Sequence, residues 1–309
     1  MTAPRHHFRI GIDLGGSKIE AAALDSQGLI RYRRRVATPV GDYSGTIQAI
    51  RELVEALERQ SGERGTVGVG IPGAISPVTG LVKNANSTCL IGHALDQDLA
   101  MVLGRPVRLA NDADCFALSE AVDGAGAGAG TVFGAILGTG VGGGVVVRER
   151  LLAGPNAIAG EWGHSPLPWP RDDERPGALC YCGKHGCIET FVSGPSLARD
   201  HAAIAGGTLS AIEIAQRAGA GDPQADATMR RYQDRLARAL ATVINLIDPH
   251  VIVLGGGLGQ IARLYETLPA LWGAYVFSDE VATRLLPPRY GDSSGVRGAA
   301  WLWPRDERP

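Results

Sequence analysis

Glycine makes up 43 of the 309 residues, about twice the usual ~7%. The glycines concentrate at the ends of strand-like runs, where only a residue without a Cβ can turn tightly or approach another group closely. At the start of the chain RIGIDL reads as a strand, GGSK as a tight turn and IEAAALD as the returning strand. After the run GAGAGAG (124–130), TVFGAIL (131–137), GTGVGGG and VVVRERLL repeat that order, and Leu14-Gly15-Gly16-Ser17 lines up with Leu137-Gly138-Thr139-Gly140. The expectation is two halves built on one plan, one from about residue 8 and one from about 131.

Helical spacing of Ile47, Ile50, Leu53, Val54 and Leu57 predicts a helix over 43–60. TVGVGIPGAI (66–75) reads as a strand entering a Pro-Gly turn. A helix at 95–103, a strand PVRLA (106–110) and a helix from about Ala113 follow. The second half continues with helices at about 195–203, 209–218 and 224–247, a buried strand in PHVIVLGGGLG (249–259), a helix at 260–272 and a closing helix in SSGVRGAAWLW. Strands alternating with helices predict an α/β protein with mixed sheets.

Composition narrows the function. Hydrophobic content of 45% and charged content of 20% suit a globular chain with two cores, and a net charge of −2 gives no bulk attraction to nucleic acid or to anionic membrane. No apolar run approaches the ~18 residues of a membrane span. MTAPRHHFRIGIDL has no signal-peptide core, so the expected location is cytoplasmic. The basic run RYRRR (31–35) fits a strand with one solvated face better than a nucleic-acid patch.

Cys180, Cys182 and Cys187 crowd into eight residues, with His164 sixteen positions upstream. One imidazole and three thiols form the ligand set of a closed structural zinc site. Glu161 and Glu189 flank the cluster, so the segment reads as the wall of a binding site. Cys89 and Cys115 lie apart from it and read as buried apolar thiols.

Glycine turns after strands can surround a phosphate with backbone N–H groups. Two common motifs fail here. Lys18 follows Gly15-Gly16-Ser17 but leads into a strand, whereas a Walker A loop opens a helix. Gly138, Gly140 and Gly143 have the letters of a dinucleotide fingerprint, but the β-rich VVVRERLL follows. Any one of these is equally a plain β-turn. Two glycine hairpins together with Gly255-Gly256-Gly257, Asp13 and Lys18 point to phosphate binding.

DLGGSK (13–18), LANDAD (109–114), LGTGVGGG (137–144), GEWGH (160–164), CYCGKHGCIET (180–190) and VLGGG (253–257) resemble, in order, the motifs of the ROK sugar kinases. These are a branch of the actin-like, hexokinase-type ATPases. KNANSTCL (83–90), GEWGHSPLPW (160–169) and GDSSGVRGAAWLWP (291–304) resemble the bacterial fructokinases of the manno(fructo)kinase type within that family. The resemblance implies an α/β, two-lobed fold of duplicated ribonuclease H-like domains with a zinc loop, the sugar and ATP lying in the cleft. The smaller lobe would comprise 1–118 and 292–309, and the larger 119–291 with the zinc loop at 160–190. It implies ATP-dependent phosphorylation of a hexose, fructose first and mannose second, with glucose or an N-acetylhexosamine as the alternative, and commonly a homodimer. A silent sugar sensor would need a damaged base or phosphate loop, and both are intact. The repressors of the family carry an N-terminal helix-turn-helix, for which the roughly seven residues before the first strand leave no room.

The resemblance also assigns residues. Asp112 is the general base, and its place between a strand end and a helix start suits that role, although Asn111, Asp112 and Asp114 also suit a helix cap and first turn. Gly73, Asn86, Asn111, Glu161, His164 and Glu189 are matched to sugar contacts, His164 with one ring nitrogen on zinc beside Cys180, Cys182 and Cys187 and the other facing the sugar. Asp13 would hold Mg²⁺ through water. Gly15, Gly16, Ser17, Lys18, Thr139 and Gly140 would line the phosphates of ATP, and Gly255 and Gly256 the nucleotide.

Overall fold

The computed structural model describes residues 8–85 and 87–305, so Asn86 lies outside the described residues. Contacts divide the chain into two compact units. One holds the chain through Ala127, Gly144–Ala159 and the stretch from Tyr290; the other holds Gly128–Gly143 and Gly160–Arg289.

In the first unit β1 (Arg9–Leu14), β2 (Lys18–Leu24) and β3 (Ile30–Ala37) form an antiparallel meander. Helix α1 (Tyr43–Ser61) leads to β4 (Thr66–Ile71), which pairs parallel to β1. A small ribbon, β5 (Ala74–Ile75) and β6 (Val82–Lys83), and helix α2 (Leu95–Leu103) come next. Strand β7 (Val107–Asn111) then pairs parallel to β4 and runs directly into helix α3 (Asp112–Val122). The sheet order is β3-β2-β1-β4-β7. Strands β1 and β4 are buried almost throughout, as continuous apolar strands must be when both sheet faces are covered. Helix α1 covers one face with the apolar stripe that its spacing predicts: Ile47, Ile50, Leu53, Val54 and Leu57 are all buried. Its N-cap Asp42 accepts from the Gly45 N–H at 2.8 Å, and the left-handed Gly62 ends it. The basic run forms edge strand β3, where Arg35 lies opposite the buried Glu20 and pairs with it at 2.5 Å. Arg33 pairs with the same carboxylate.

The chain then repeats that order. Strands β8 (Thr131–Leu137), β9 (Val141–Val147) and β10 (Arg150–Leu151) form a second antiparallel meander. Helices α4 (Glu189–Val192), α5 (Gly194–Ala205), α6 (Ala211–Gly219) and α7 (Pro223–Ile247) precede β11 (Val251–Gly255), which pairs parallel to β8. Helix α8 (Ala262–Trp272) leads to β12 (Arg284–Leu286), parallel to β11. The second sheet reads β10-β9-β8-β11-β12, the arrangement of the first. The closing helix α9 (Ser294–Trp301) belongs to the first unit.

Three local expectations change. The turn of the second hairpin is only Gly138–Gly140; β9 starts at Val141 and runs through Gly142, Gly143 and Gly144. Those glycines serve packing rather than turning. A Cβ on Gly144 would lie 2.8 Å from the Ala117 methyl, and one on Gly143 the same distance from the Phe133 ring. VVVRERLL is two strands, because Arg148 (φ 50°) and Glu149 (φ 60°) reverse the chain between them. Helix α3 runs to Val122, past the 118/119 lobe boundary expected from sequence, since its apolar face stays buried to the end.

A buried ion cluster ties the segment between His164 and Cys180 to α7. Glu174 Oε1 accepts from Arg235 Nε and from Arg238 Nη2, both at 2.8 Å, while Oε2 accepts from Arg238 Nη1 and the Arg171 N–H, both at 2.9 Å. Arg238 also donates to Trp169 O at 2.8 Å. Burial alone would raise the Glu174 pKa; these hydrogen bonds outweigh it and hold the carboxyl at about 2. The cluster's contribution to stability is therefore complete above the ordinary carboxyl pKa of ~4.3 and is lost as pH falls through about 2. Glu174→Gln leaves two buried guanidinium charges under-compensated and is expected to cost about 3–5 kcal/mol at pH 7. In urea unfolding the gap between wild type and variant should narrow below pH 4.5; a gap equal at pH 6.5 and pH 3 would contradict this account.

Candidate functional site

Parallel register brings the carboxyl ends of β1, β4 and β7 to one sheet edge: Asp13 pairs with Gly70, and Ile71 with Asn111. In open α/β sheets this edge is where ligands bind. It holds Asp13, half-buried near the end of β1, and Asp112, exposed at the first position of α3. Burial raises the Asp13 pKa to about 6, with the charges of Asp112 and Glu20 adding to the rise against Lys18 and Arg35. The two carboxylates therefore sense each other. Helix α9 presses on Asp13 from its Gly295, where a Cβ would lie 2.9 Å from Oδ2.

Asn111 is the N-cap of α3. Its Oδ1 accepts from the Ala113 N–H at 2.9 Å, and its Nδ2 donates to Gly73 O at 3.1 Å. The same Ala113 N–H lies 2.8 Å from Asp112 Oδ1. Asp112 is thus a first-turn residue, as the capping pattern implied, with its side chain at the surface. Gly73 holds φ +119°, and a Cβ there would lie 2.7 Å from Lys83 O, so the turn that meets Asn111 requires glycine.

The first glycine hairpin closes through Gly15 N–H to Lys18 O at 3.0 Å. Thr38, which the sequence reading missed, pins it from β3's end: its hydroxyl donates to Gly15 O at 2.7 Å and its N–H to Ser17 O at 3.0 Å. Gly16, Ser17 and Lys18 are exposed.

In the other unit the second glycine hairpin closes through Gly138 N–H to Gly140 O at 3.0 Å and leaves Thr139 exposed. Glu189 is tied to it. Its Oε2 accepts from the Val141 N–H at 2.9 Å, and a Cβ on Gly140 would lie 2.7 Å from that oxygen. A carboxylate expected at the sugar and a turn expected at the phosphates are therefore one hydrogen-bonded assembly. Gly255 ends β11, and Gly256 (φ +75°) lies so close to Leu137 O that a Cβ would stand 2.4 Å from it. Glu161 is exposed, beside Trp162, whose ring N–H donates to Gly142 O at 2.8 Å and whose ring packs edge-on against Phe133.

His164, Cys180, Cys182 and Cys187 place their donor atoms within 4.8 Å of one another. His164 Nδ1 is 3.5 Å from Cys180 Sγ, and Cys182 Sγ is 3.6 Å from Cys187 Sγ. Ligands at about 2.3 Å (sulfur) and 2.0 Å (nitrogen) around a tetrahedral zinc stand roughly 3.5–3.8 Å apart, the separation that these two pairs show. Backbone bonds from Ile188 N–H to Ser165 O (2.9 Å) and Leu167 N–H to Gly186 O (2.9 Å) bring its two stretches together. His164 Nε2, the ring nitrogen expected to face the sugar, is 2.8 Å from the Tyr181 hydroxyl. The only sequence signal of Tyr181 was its place between two cysteines.

The site carries a stability cost that can be measured. Asp13 has a folded pKa of about 6 against an ordinary 3.8, so the stability linked to its protonation is complete below ~3.9 and lost as pH rises through about 6. Asp13→Asn should therefore stabilise the protein at pH 7.5, by about 1–2 kcal/mol after solvent screening, with no gain at pH 4. Thermal unfolding at both pH values checks this; a variant no more stable than wild type at pH 7.5 contradicts it.

A profile of the ROK family matches residues 9–306. The chain is 40% identical over 296 residues to an N-acetyl-D-glucosamine kinase of Yersinia pseudotuberculosis, covering 94% of this chain and 97% of that protein. Among solved structures it is similar to the ROK hexokinase from Thermus thermophilus, with a TM-score of 0.85 and 32% identity over 96% of this chain and 97% of the other. It is also similar to a ROK family glucokinase from Streptomyces griseus in complex with glucose and AMPPNP, with a TM-score of 0.74 and 29% identity over 96% and 98%. Together with the motifs at 13–18, 109–114, 137–144 and 160–190, these matches show that the chain belongs to the ROK family.

Proposed function

We propose that the chain is an ATP-dependent kinase of an N-acetylated hexosamine, with N-acetyl-D-glucosamine the first substrate to test. The observation that carries this reading is the full-length 40% identity to the Yersinia N-acetyl-D-glucosamine kinase. The glucokinase bound to glucose and AMPPNP supports ATP as the donor and makes glucose the second reading. Fructose, expected from the stretches at 83–90, 160–169 and 291–304, gains no support from these relatives and gives way to the N-acetylhexosamine alternative.

Phosphoryl transfer asks for an oriented hydroxyl, a group to take its proton, and stabilisation of charge on the phosphoryl oxygens. Asp112 takes the proton from its place in the first turn of α3. Asn111 and Gly73, already joined by a hydrogen bond, orient the sugar beside it. Glu161 and Glu189 accept from further hydroxyls, Glu189 through the oxygen that Val141 does not hold. Asn86 is proposed as another sugar contact from sequence alone. Gly15, Gly16, Ser17 and Lys18, with Thr139 and Gly140, line the phosphates, and Gly255 and Gly256 leave room for the nucleotide. Asp13 would hold Mg²⁺ through water, an ion that neutralises phosphate charge when bound. A zinc held by His164, Cys180, Cys182 and Cys187 would fix the wall that carries Glu161 and Glu189.

Three measurements test the reading. In a coupled assay with ATP and a panel of hexoses, kcat/KM should be highest for N-acetyl-D-glucosamine; preference for fructose would restore the other branch. Asp112→Asn should keep sugar binding and lose turnover by at least ~10²-fold, and near-normal turnover would place the base elsewhere. Chelation or Cys182→Ser should remove the metal and raise the sugar KM. Elemental analysis that finds no zinc in freshly purified protein would contradict the metal centre.

A further inference from the structure

In each glycine hairpin a donor from outside the turn holds the carbonyl of the first glycine. Gly15 O accepts from the Thr38 hydroxyl at 2.7 Å. Gly138 O, at the aligned position of the second unit, accepts from the Gly194 N–H at 2.8 Å. Thr38 also takes a second carbonyl of the first hairpin: its own N–H donates to Ser17 O at 3.0 Å. A trans peptide is planar, and its C=O and N–H point in opposite directions. Holding the carbonyls of Gly15 and Ser17 on Thr38 therefore turns the N–H groups of Gly16 and Lys18 away from it. Both residues are exposed, so a ligand can reach them.

The peptide that the Thr38 hydroxyl holds joins two glycines. With no Cβ on either side, such a peptide flips with little steric resistance. A flipped peptide would aim the Gly15 carbonyl outward, where it would repel an anion that the N–H attracts. We propose that Thr38 is a positioning residue: its hydroxyl keeps the Gly16 N–H turned out toward the phosphates of ATP. The proposal rests on the kinase reading, which puts those phosphates at this hairpin. Thr38 is suited to the task. It is half-buried and directly follows β3. Pro39 after it restricts its backbone to the extended region, so its N–H carries the β2–β3 pairing on to Ser17. Its β-branched side chain has few rotamers, so the hydroxyl loses little freedom in reaching Gly15 O. In the second unit the first residue of α5 does the same through main chain. Thr38 is thus the donor of the two that a substitution can remove.

Thr38→Val keeps the branch and the N–H and removes only the hydroxyl. The KM for ATP should rise about tenfold, the effect of losing one neutral hydrogen bond. The KM for the best hexose should stay within about twofold. Thr38→Ser restores the donor and should bring the KM for ATP back toward that of the wild type. Calorimetry with AMPPNP and magnesium, and separately with the hexose, should show the same split without turnover. Equal weakening of nucleotide and sugar would make Thr38 a prop for the fold alone. That result overturns the proposal, as does unchanged nucleotide binding or failure of serine to rescue. If Thr38→Val does not fold, a crystal structure of the wild type with AMPPNP decides: the Gly16 nitrogen should lie about 2.7–3.2 Å from a phosphate oxygen, and a Gly16 N–H turned elsewhere overturns the proposal. A wild-type protein that binds AMPPNP but phosphorylates no hexose overturns the kinase reading instead, and calorimetry still decides the role of Thr38. A wild-type protein that binds no AMPPNP refutes that role as well.

Discussion

Helix α9 meets the first sheet and helix α3 at backbone contact, and the geometry of the first unit depends on that approach. A Cβ on Gly11 of β1 would lie 1.9 Å from Val296 O, one on Gly68 of β4 1.9 Å from Ala299 O, and one on Gly298 of α9 1.6 Å from Cys115 O. No side chain of any size fits at these three places without moving the helix. Main chain rather than side chain thus forms the joint between β1, β4, α3 and α9, and the last helix of the sequence completes the core begun by the first strand. The same joint brings Gly295 against the Asp13 carboxylate. It thereby supplies part of the burial that lifts the Asp13 pKa to about 6. Two like charges, Asp13 and Asp112, are held at one sheet edge by packing that gains nothing from having them there. Such an arrangement is expected where charge serves chemistry rather than stability.

Much of this was legible in the sequence where local physics decides. Helix α2 falls on 95–103 as its spacing implied, and the paired strand–glycine–strand segments become the first two strands of two sheets with one order. The cysteine and histidine spacing converges on one point. Features set by distant contacts were not legible. Strand β12 is three residues long and exists through its pairing with β11. The glycines of β9 looked like a turn because the sequence does not show Ala117 and Phe133 packed against them. The bond from Val141 to Glu189 joins residues 48 apart, and the Tyr181–His164 pair arises only once the cysteine loop closes. The fructose expectation gains less support than the N-acetylhexosamine alternative, since the relatives share the family's frame and include kinases of N-acetylated hexosamines.

The cysteine loop is held twice. Donor groups gather His164 and the three cysteines at one end, and the Glu174 cluster fixes the middle of the segment to α7. The second anchor needs no metal. Helix α7 also reaches the short helix that carries Glu189: Tyr232 donates to Val192 O at 3.0 Å, and the Arg235 guanidinium lies 5.4 Å from the Phe191 ring centre. Carboxylates proposed to bind the sugar, mounted on such a frame, would lose little entropy on binding.

The central claim is that Asp112 is the group that receives the proton of the attacking sugar hydroxyl. The most direct test is a crystal structure of the protein with N-acetyl-D-glucosamine and a non-hydrolysable ATP analogue. The account predicts an Asp112 carboxylate oxygen about 2.6–3.2 Å from a sugar hydroxyl that faces the γ-phosphate. An Asp112 carboxylate turned to solvent, with another residue at that hydroxyl, would contradict it.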